Sequence, residues 1–292
     1  IKISGGLMTP LLSVHHLTKQ FSNSRFSIND VSFQVDPGEI VALIGKNGSG
    51  KSTLIRMIVG DYPLTSGEIY FFGQRVSPED TDYKNDMSVV FDSMNFTKNM
   101  TVDKLNRMFQ KVFRHFDSTL FNDYIQRFEL PEKQAVKFFS RGMSMKLSMA
   151  VALSHKSRLL ILDEATAGLD AASRDEIQDE IEKFVHDSNR GVLMTSHIAE
   201  DIDRLATKLV FLRHGQVYTQ IDKAALFNNY ARLTCDETEF EKLEDEDVLA
   251  KKHHLGEVQA IVLKNERTLS FDLESIEYID QVSKIILRGE DI

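Results

Sequence analysis

Residues 45–53 read Gly-Lys-Asn-Gly-Ser-Gly-Lys-Ser-Thr, a complete G-x-x-x-x-G-K-[ST] pattern. An apolar run, Ile40 to Ile44, precedes it, and a helix-like stretch, Leu54 to Val59, follows it. Glycines let consecutive backbone N–H groups turn toward an anion, and the first turn of a helix adds its positive dipole end. This setting makes an ordinary glycine-rich hairpin turn much the weaker alternative. The segment therefore predicts a phosphate-binding loop, the P-loop, between a strand and a helix.

The pattern gives separate roles to the residues of this loop. We expect the side chain of Lys51 to reach the β- and γ-phosphates of a nucleotide. The hydroxyl of Ser52 is expected to ligate Mg²⁺. The predicted nucleotide-binding residues of the loop are Gly45, Asn47, Gly48, Ser49, Gly50, Lys51, Ser52 and Thr53.

The composition is that of an ordinary globular protein of 292 residues. The chain has 35 basic and 44 acidic residues, a formal net charge of −9, so general attraction to nucleic acid is not expected. No stretch approaches the roughly 20 apolar residues of a transmembrane helix. Cys235 is the single cysteine, which excludes an intrachain disulfide and favours a reducing, cytoplasmic setting. Residues 1–7, which precede Met8, are left out of the fold prediction.

The order of predicted elements indicates an α/β fold. Strand-like runs separated by turn residues occupy residues 11–44, and strand, helix and strand alternate again after Arg158. Residues 99–157 instead carry apolar residues at helical spacing, with Asn99 or Thr101 as helix caps. We therefore predict a P-loop NTPase core with a mostly parallel sheet, an N-terminal antiparallel β part, a helical insert and a small C-terminal α+β extension.

The same pattern sets the predicted domain boundaries. The α/β core is expected to comprise residues 8–95 and 158–220, with the helical subdomain at 96–157 and the extension at 221–292. Within the extension we expect strands near Val258 to Leu263 and Thr268 to Leu273, and a closing helix from Ser275. The acidic patch from Asp236 to Asp247 is most simply a solvated face.

Two apolar strands end in residues that can carry chemistry. Asp163 and Glu164 follow the run Leu159 to Leu162, and His197 follows the stretch 192–196. The carboxyl ends of strands in an open α/β sheet bind ligands, so these residues belong beside the P-loop. Asp163 is suited to hold Mg²⁺, Glu164 to orient and deprotonate a water that attacks the γ-phosphorus, and His197 to donate to a γ-phosphate oxygen. Without the P-loop, the acids could merely cap a helix and the histidine could be a solvated loop residue.

Two further segments complete a family pattern. Phe139-Ser140-Arg141-Gly142-Met143 opens a predicted helix, and Ala165-Thr166-Ala167-Gly168-Leu169-Asp170 follows the acidic pair. Together with the P-loop, the acidic pair and the histidine, they form five motifs in order. Over roughly residues 11–220 the chain resembles the ATP-binding subunit of ABC transporters. The resemblance implies ATP and Mg²⁺ as ligands, and ATP hydrolysis with Glu164, His197 and Lys51 as the catalytic residues.

The resemblance also implies a second ATP-binding subunit, identical or different. In the family's head-to-tail dimer, the signature segment of each subunit covers the ATP of the other. Here that segment would be Ser140, Arg141, Gly142 and Met143, and Asp170 of the D-loop would lie at the subunit boundary. Phe21 occupies the place where the family stacks an aromatic ring on adenine, with a core position as the alternative.

The chain departs from the family at two motifs. The family signature is Leu-Ser-Gly-Gly-Gln, whereas here only Ser140 and Gly142 are retained, and Arg141 could pair with phosphate or face solvent. In Val89-Val90-Phe91-Asp92-Ser93, Asp92 replaces the usual glutamine of the Q-loop. Asp92 could ligate the metal more strongly than glutamine or leave a water between. We expect hydrolysis to survive and its coupling to transport to be tuned differently.

The resemblance further implies an integral membrane transporter subunit as partner. Most phenylalanines of the insert should be core, and the remainder could line a groove for a short helix of that subunit. This would place the chain on the cytoplasmic face of the membrane, driving export. Residues 91–92, the signature and the end at 288–290 resemble bacterial exporters of amphipathic peptides, such as the phenol-soluble modulin group. The alternative is a soluble, non-transport ATPase of the ABC class, and an inactive scaffold is disfavoured because the catalytic residues are present.

Overall fold

The computed structural model describes residues 9–22, 26–77, 79–92 and 96–289. Met8 and residue 95, which bound the first predicted core segment, lie outside the described residues, as do Ser93 and Glu290. The strands are β1 (Leu12–Gln20), β2 (Ser27–Val35), β3 (Ile40–Ile44), β4 (Ser66–Phe71), β5 (Gln74–Arg75), β6 (Met87–Val90), β7 (Leu159–Asp163), β8 (Gly191–Thr195), β9 (Lys208–Arg213), β10 (Gln216–Asp222), β11 (Tyr230–Cys235), β12 (Val248–His254), β13 (Glu257–Leu263) and β14 (Leu273–Ser275). The helices are α1 (Lys51–Ile58), α2 (Val102–Val112), α3 (Ser118–Arg127), α4 (Arg141–Leu153), α5 (Ala171–His186), α6 (Ala199–Leu205), α7 (Lys223–Asn229), α8 (Glu237–Phe240) and α9 (Ile279–Arg288).

The central sheet has the strand order β10-β9-β3-β8-β7-β6. Its members from β9 to β6 pair in parallel, and β10 joins the β9 edge antiparallel. Strands β3, β7 and β8 are buried along their whole length, as expected for parallel strands covered on both faces. The mostly parallel sheet predicted from the sequence is confirmed. Because β3, β8 and β7 are neighbours running in one direction, the loops after them meet at one edge.

Two layers cover the faces of this sheet. On one face, the antiparallel sheet β2-β1-β4-β5 and helix α1 share a continuous apolar core with β3, β7 and β8. On the other face, helices α2 to α6 and α9 pack against alternate residues of the same strands, such as Ala42 and Leu160. The predicted N-terminal antiparallel β part is therefore present, and α1 lies between two sheets.

Helices α2, α3 and α4 lie between β6 and β7 in the chain and form the predicted helical insert. Helix α2 begins after Thr101, one of the two expected caps. The buried aromatic rings of the insert include Phe109, Phe121 and Phe128, whereas Phe138 is 65% exposed. Phe113, Phe116 and Phe139 are half-buried and pack against this core, so three of the seven phenylalanines between residues 109 and 139 are fully core and three more border it.

The C-terminal extension is an antiparallel sheet, β12-β13-β11-β14, with helices α7, α8 and α9. The strand predicted near Thr268 to Leu273 begins only at Leu273, as β14, because Thr268 Oγ1 donates to the carbonyl of Leu263 at 2.7 Å and turns the chain there. The closing helix begins at Ile279 rather than Ser275. No helix among the described residues combines the length and apolar character needed to cross a membrane.

The acidic patch is not uniformly a solvated face. Asp247 at its end is buried, and its Oδ1 accepts hydrogen bonds from Asn265 Nδ2 at 2.6 Å and Arg267 Nη2 at 2.7 Å. The carboxylate joins the start of β12 to the turn after β13. At this residue the patch is a structural contact, because a buried carboxylate requires donors.

Candidate active site

The P-loop leads directly from β3 into α1. Gly50 is the N-cap of α1 with φ 108° and ψ 6°, and Gly48 has φ 80°. A Cβ atom at Gly50 would lie 2.5 Å from Ile28 Cδ1, whereas at Gly48 it would meet nothing within 4 Å. The loop is therefore closed against the core at Gly50 and open at Gly48, where a ligand can approach the backbone.

The side chain of Lys51 folds back over the loop. It is buried, and its Nζ donates to the carbonyl of Gly45 at 2.9 Å and to that of Lys46 at 3.4 Å. Burial lowers the pKa of the Lys51 ammonium, while the charges of Glu164 and Asp163 oppose this shift. The ammonium is thus held at the mouth of the loop and desolvated, which strengthens its attraction for an anion.

Other loop residues differ in what they offer a ligand. Ser49 Oγ is buried and has no hydrogen-bond partner among the described residues, a rare state for a buried hydroxyl. Asn47 and Ser52 are exposed, and Thr53 is half-buried. Ser49 Oγ lies within contact distance of where a Cβ atom of Gly45 would be, so the open backbone at Gly48 is the part of the loop that fits the phosphate chain of a nucleotide.

Asp163 lies at the end of β7 and joins the P-loop to the next strand. Its Oδ1 accepts from Ser52 Oγ at 3.2 Å and from Thr195 Oγ1 at 2.8 Å. Burial is the main cause that raises the pKa of the Asp163 carboxyl, and the charge of Asp92 adds to it. The predicted pair Ser52 and Asp163 is therefore brought together, and Asp92 is exposed near enough to act on it electrostatically.

A hydroxyl and a carboxylate converging in this way fit Mg²⁺, which takes oxygen ligands. Mg²⁺ is usually bound by one or two carboxylates together with substrate phosphate and water. Within the described ranges, no group of three His, Cys, Asp or Glu side chains is arranged to hold a metal.

Glu164 and His197 meet at the same edge. His197 Nδ1 lies 2.5 Å from Glu164 Oε2, and their side chains are 54% and 18% exposed. Glu164 has φ 55°, a left-handed conformation that is costly for a residue with a side chain. Its backbone N–H donates to Thr195 Oγ1 at 3.0 Å and to the Thr195 carbonyl at 3.3 Å, which holds that conformation.

The signature segment and the D-loop each begin a helix. Ser140 is the N-cap of α4, and its Oγ accepts from the backbone N–H of Met143 at 3.1 Å. Asp170 is the N-cap of α5 and accepts from Ser173 N at 2.9 Å and Ser173 Oγ at 3.0 Å. The hydrogen bonds from Ser173 lower the pKa of the Asp170 carboxyl.

The sequence left Arg141 either pairing with phosphate or facing solvent. Its side chain is exposed, and its guanidinium lies against Gly168 of the D-loop, 3.1 Å from where a Cβ atom of that residue would be. Phe21 is half-buried, with ring centroids of Phe26 and Tyr62 each 6.3 Å away. Its stacking on adenine stays a prediction.

Comparison with known proteins decides the family. Residues 28–167 match the family model described as ABC transporter. The lantibiotic transport ATP-binding protein SrtF of Streptococcus pyogenes is 30% identical over 209 residues, which cover 71% of this chain and 89% of that protein. The chain belongs to the family of ABC transporter ATP-binding subunits.

Other members of the family agree. The ABC transporter ATP-binding protein YtrB of Bacillus subtilis (strain 168) is 28% identical over 223 residues, 76% of each chain. A solved ATP-binding subunit of an ABC transporter superposes with a TM-score of 0.68 at 25% identity, covering 74% of this chain and 91% of that one. A dimeric ATP-binding cassette in a post-hydrolysis state, bound to ADP and Pi, has a TM-score of 0.64 at 19% identity, which shows a common fold.

In this ABC subunit, sequence reasoning missed the hydroxyls that hold the motifs in place. Thr195 bridges Asp163 and Glu164, while Thr166 and Ser196 donate to the buried carboxylate of Asp201. A signal was available for the first of these, because Thr195 ends the strand next to the one that carries Asp163. Asp201 lies on α6 and carries no motif, so only the fold reveals its contacts.

Proposed function

We propose that this ABC subunit binds ATP with Mg²⁺ at the P-loop and hydrolyses it. The contact between Glu164 Oε2 and His197 Nδ1, beside Lys51 and the pair Ser52 and Asp163, is the observation that carries the proposal. Its components come from three adjacent parallel strands, so their relative positions are set by the rigid sheet.

In this proposal, Glu164 orients the attacking water and takes up its proton, since it is a partly exposed carboxylate at the sheet edge. His197 holds that carboxylate through Nδ1 and keeps its other ring nitrogen for a γ-phosphate oxygen. Lys51 places a positive charge on the phosphates, and the backbone N–H groups around Gly48 cradle them. Bound Mg²⁺, held by Ser52 and Asp163 with Asp92 nearby, would neutralise charge that develops on the phosphate oxygens.

We also propose that ATP draws two ATP-binding subunits together. The signature segment, Ser140, Arg141, Gly142 and Met143, forms the N-terminal end of α4, and the positive dipole end of a helix suits a phosphate held by the opposite subunit. Asp170 would then lie at the subunit boundary. The contact of Arg141 with Gly168 supports this, because it keeps the signature and the D-loop together as one surface.

A groove of about 370 Å³ supports a membrane partner. It lies between β6 and helices α2 and α4, and it is lined by the rings of Phe91, Phe96, Phe109 and Phe113 together with polar side chains such as Asp61, Lys84 and His155. A mainly apolar groove with some polar lining, between the sheet and the helical insert, fits a short amphipathic helix. We propose that a cytoplasmic helix of an integral membrane subunit binds here, which would place this chain on the cytoplasmic face of the membrane.

The proposal also concerns the class of molecule that the transporter carries. The name of SrtF describes a lantibiotic transport ATP-binding protein, and the likeness to it supports export of peptides by a bacterial transporter. The departures at Asp92 and in the signature favour the phenol-soluble modulin exporter group within that class. The proposed units remain an α/β core at residues 8–95 and 158–220, a helical subdomain at 96–157 and an extension at 221–292.

Phosphate release by the purified full-length chain tests the catalytic proposal. Glu164→Gln should lower kcat for MgATP by about 100-fold or more and leave ATP binding intact. Glu200→Gln is the matched control, because Glu200 is an 82% exposed carboxylate on α6. With Glu164→Gln, ATP should also convert monomer to dimer in light scattering. Equal activity of the two variants would refute the role of Glu164.

Co-purification with the membrane protein encoded beside this chain tests the groove. Phe113→Glu should abolish the complex because it places a charge in an apolar groove. Phe138→Glu is the control, since Phe138 is exposed and does not line the groove. An ATP-dependent dimer that binds no membrane protein would instead support a soluble ABC-class ATPase.

A further inference from the structure

Asp201 is a buried carboxylate that the proposed chemistry does not use. It lies in the first turn of α6 and is 0% exposed. Its Oδ2 accepts from Thr166 Oγ1 and from Ser196 Oγ, the latter at 3.0 Å, and its Oδ1 accepts from Gln178 Nε2 at 2.7 Å. Burying a carboxylate is expensive, so a site that retains one needs several donors, and these three side chains supply them.

The donors come from separate parts of the chain. Thr166 belongs to the loop after β7, two residues beyond Glu164, and Ser196 belongs to the loop after β8, one residue before His197. One carboxylate oxygen therefore ties together the two loops that carry the proposed catalytic residues. The third donor, Gln178, anchors the link to α5.

Arg204 fixes the orientation of the Gln178 amide that donates to Asp201. Gln178 Oε1 accepts from Arg204 Nη1 at 2.8 Å, which leaves the amide nitrogen of Gln178 to face Asp201. Arg204 itself is held by carboxylates of α5, including Asp175 at 2.6 Å and Glu182 at 2.8 Å. The carboxylate of Asp201 is thus placed by a rigid set of helix contacts and is not free to follow a moving loop.

The hydrogen bonds of Asp201 matter because the backbone of Glu164, close to them in the chain, is strained. Glu164 has φ 55°, and a non-glycine residue keeps such a conformation only where its surroundings determine it strongly. Thr195 holds the amide side of Glu164, and the Thr166–Asp201 contact holds the chain two residues later. Ser196 Oγ also accepts from Ile198 N at 3.0 Å, which shapes the turn that presents His197.

We propose that Asp201 is a positioning residue for ATP hydrolysis, which cross-links the Glu164 loop to the His197 loop and so sets the geometry of their contact. This rests on the proposed function. The expected effect follows from geometry, since displacement of a catalytic group by about 1 Å can cost about 100-fold in rate.

The test measures kcat and KM for MgATP in the full-length chain. Asp201→Ala should lower kcat about 10- to 100-fold with KM within about threefold, because the P-loop is untouched. Asp201→Asn, which keeps one acceptor, should lie between Asp201→Ala and the native chain. Asp187→Asn is the matched control, because it removes one 48% exposed carboxylate at the end of α5 that pairs with Arg190 and lies outside this set of contacts, and it should keep native kcat.

A double-mutant cycle separates positioning from general stabilisation. If Asp201 acts through the Glu164–His197 contact, Asp201→Asn combined with His197→Ala should lose little more rate than His197→Ala alone. Losses that multiply, or a kcat that falls only in step with the folded fraction, would overturn the proposal.

Milder variants keep the test decisive if Asp201→Ala fails to fold. Thr166→Val and Ser196→Ala each remove one donor, and each should lower kcat by about 3- to 10-fold at unchanged ATP affinity. Native rates in both would refute the cross-link. A native chain that releases no phosphate would refute the proposed function, whereas an active native chain with equally active Asp201 variants would refute only the positioning role.

Discussion

Replacing Gly50 by alanine tests how the P-loop is built, and the structure allows its cost to be worked out. A residue with a side chain at φ 108° pays about 1–2 kcal/mol for the left-handed backbone. The new Cβ would also lie 2.5 Å from Ile28 Cδ1 and 2.9 Å from Phe26 Cζ, and such overpacking costs about 1–3 kcal/mol. Together Gly50→Ala should therefore cost about 2–5 kcal/mol of the free energy of unfolding.

Gly48→Ala is the matched control for this estimate. Gly48 has φ 80°, but its Cβ would meet nothing within 4 Å, so only the backbone cost of about 1–2 kcal/mol applies. At about 2 °C per kcal/mol for a chain of this size, the melting temperature should fall by about 2–4 °C for Gly48→Ala and about 4–10 °C for Gly50→Ala. Thermal unfolding followed by circular dichroism without nucleotide measures both, and equal shifts would refute the reasoning.

Three further substitutions follow from single contacts. Burial raises the pKa of the Asp163 carboxyl, so the free energy of unfolding falls as the pH rises from 3.8 through that raised pKa. The melting temperature of Asp163→Asn should therefore be higher than that of the native chain at pH 7, and the difference should disappear as the pH approaches 3.8. The same variant should lose Mg²⁺-dependent hydrolysis. Arg204→Lys should lower the free energy of unfolding by about 1 kcal/mol in urea titrations, with a smaller effect in 1 M salt, because one ammonium cannot replace a guanidinium shared by several carboxylates. Arg213→Ala should speed amide exchange at the end of α9, since Arg213 Nη2 donates to the Gly289 carbonyl at 2.8 Å, while exchange in α5 should not change.

The sequence was most informative where pattern and burial coincide. Ile40–Ile44 was predicted with the bounds that the structure shows, and the run Leu159 to Leu162 lies within β7, because continuous apolar runs that end at turn or charged residues leave little choice. The meeting of Lys51, Asp163 and Glu164 was also predictable, since motifs after parallel strands share one edge.

The extension was harder because its signals are local and weak. Thr268 looks like a strand residue by propensity, yet its hydroxyl closes a turn on Leu263. The start of α9 is set by Gln281, whose Oε1 accepts from the backbone N–H of Tyr278 at 3.0 Å. Both contacts join residues at most five apart, but each depends on one side chain whose alternative conformations strand or helix propensity does not distinguish.

The position of α9 gives the extension a physical link to the catalytic edge. A groove of about 190 Å³ has Lys46 and His197 on one side and Lys284 and Leu287 of α9 on the other. Helix α9 is tied to the core by Asp203 Oδ1, which accepts from the backbone N–H of Ile279 at 2.9 Å. The extension therefore borders the P-loop and the loop that carries His197, which is the edge at which the proposed hydrolysis would take place.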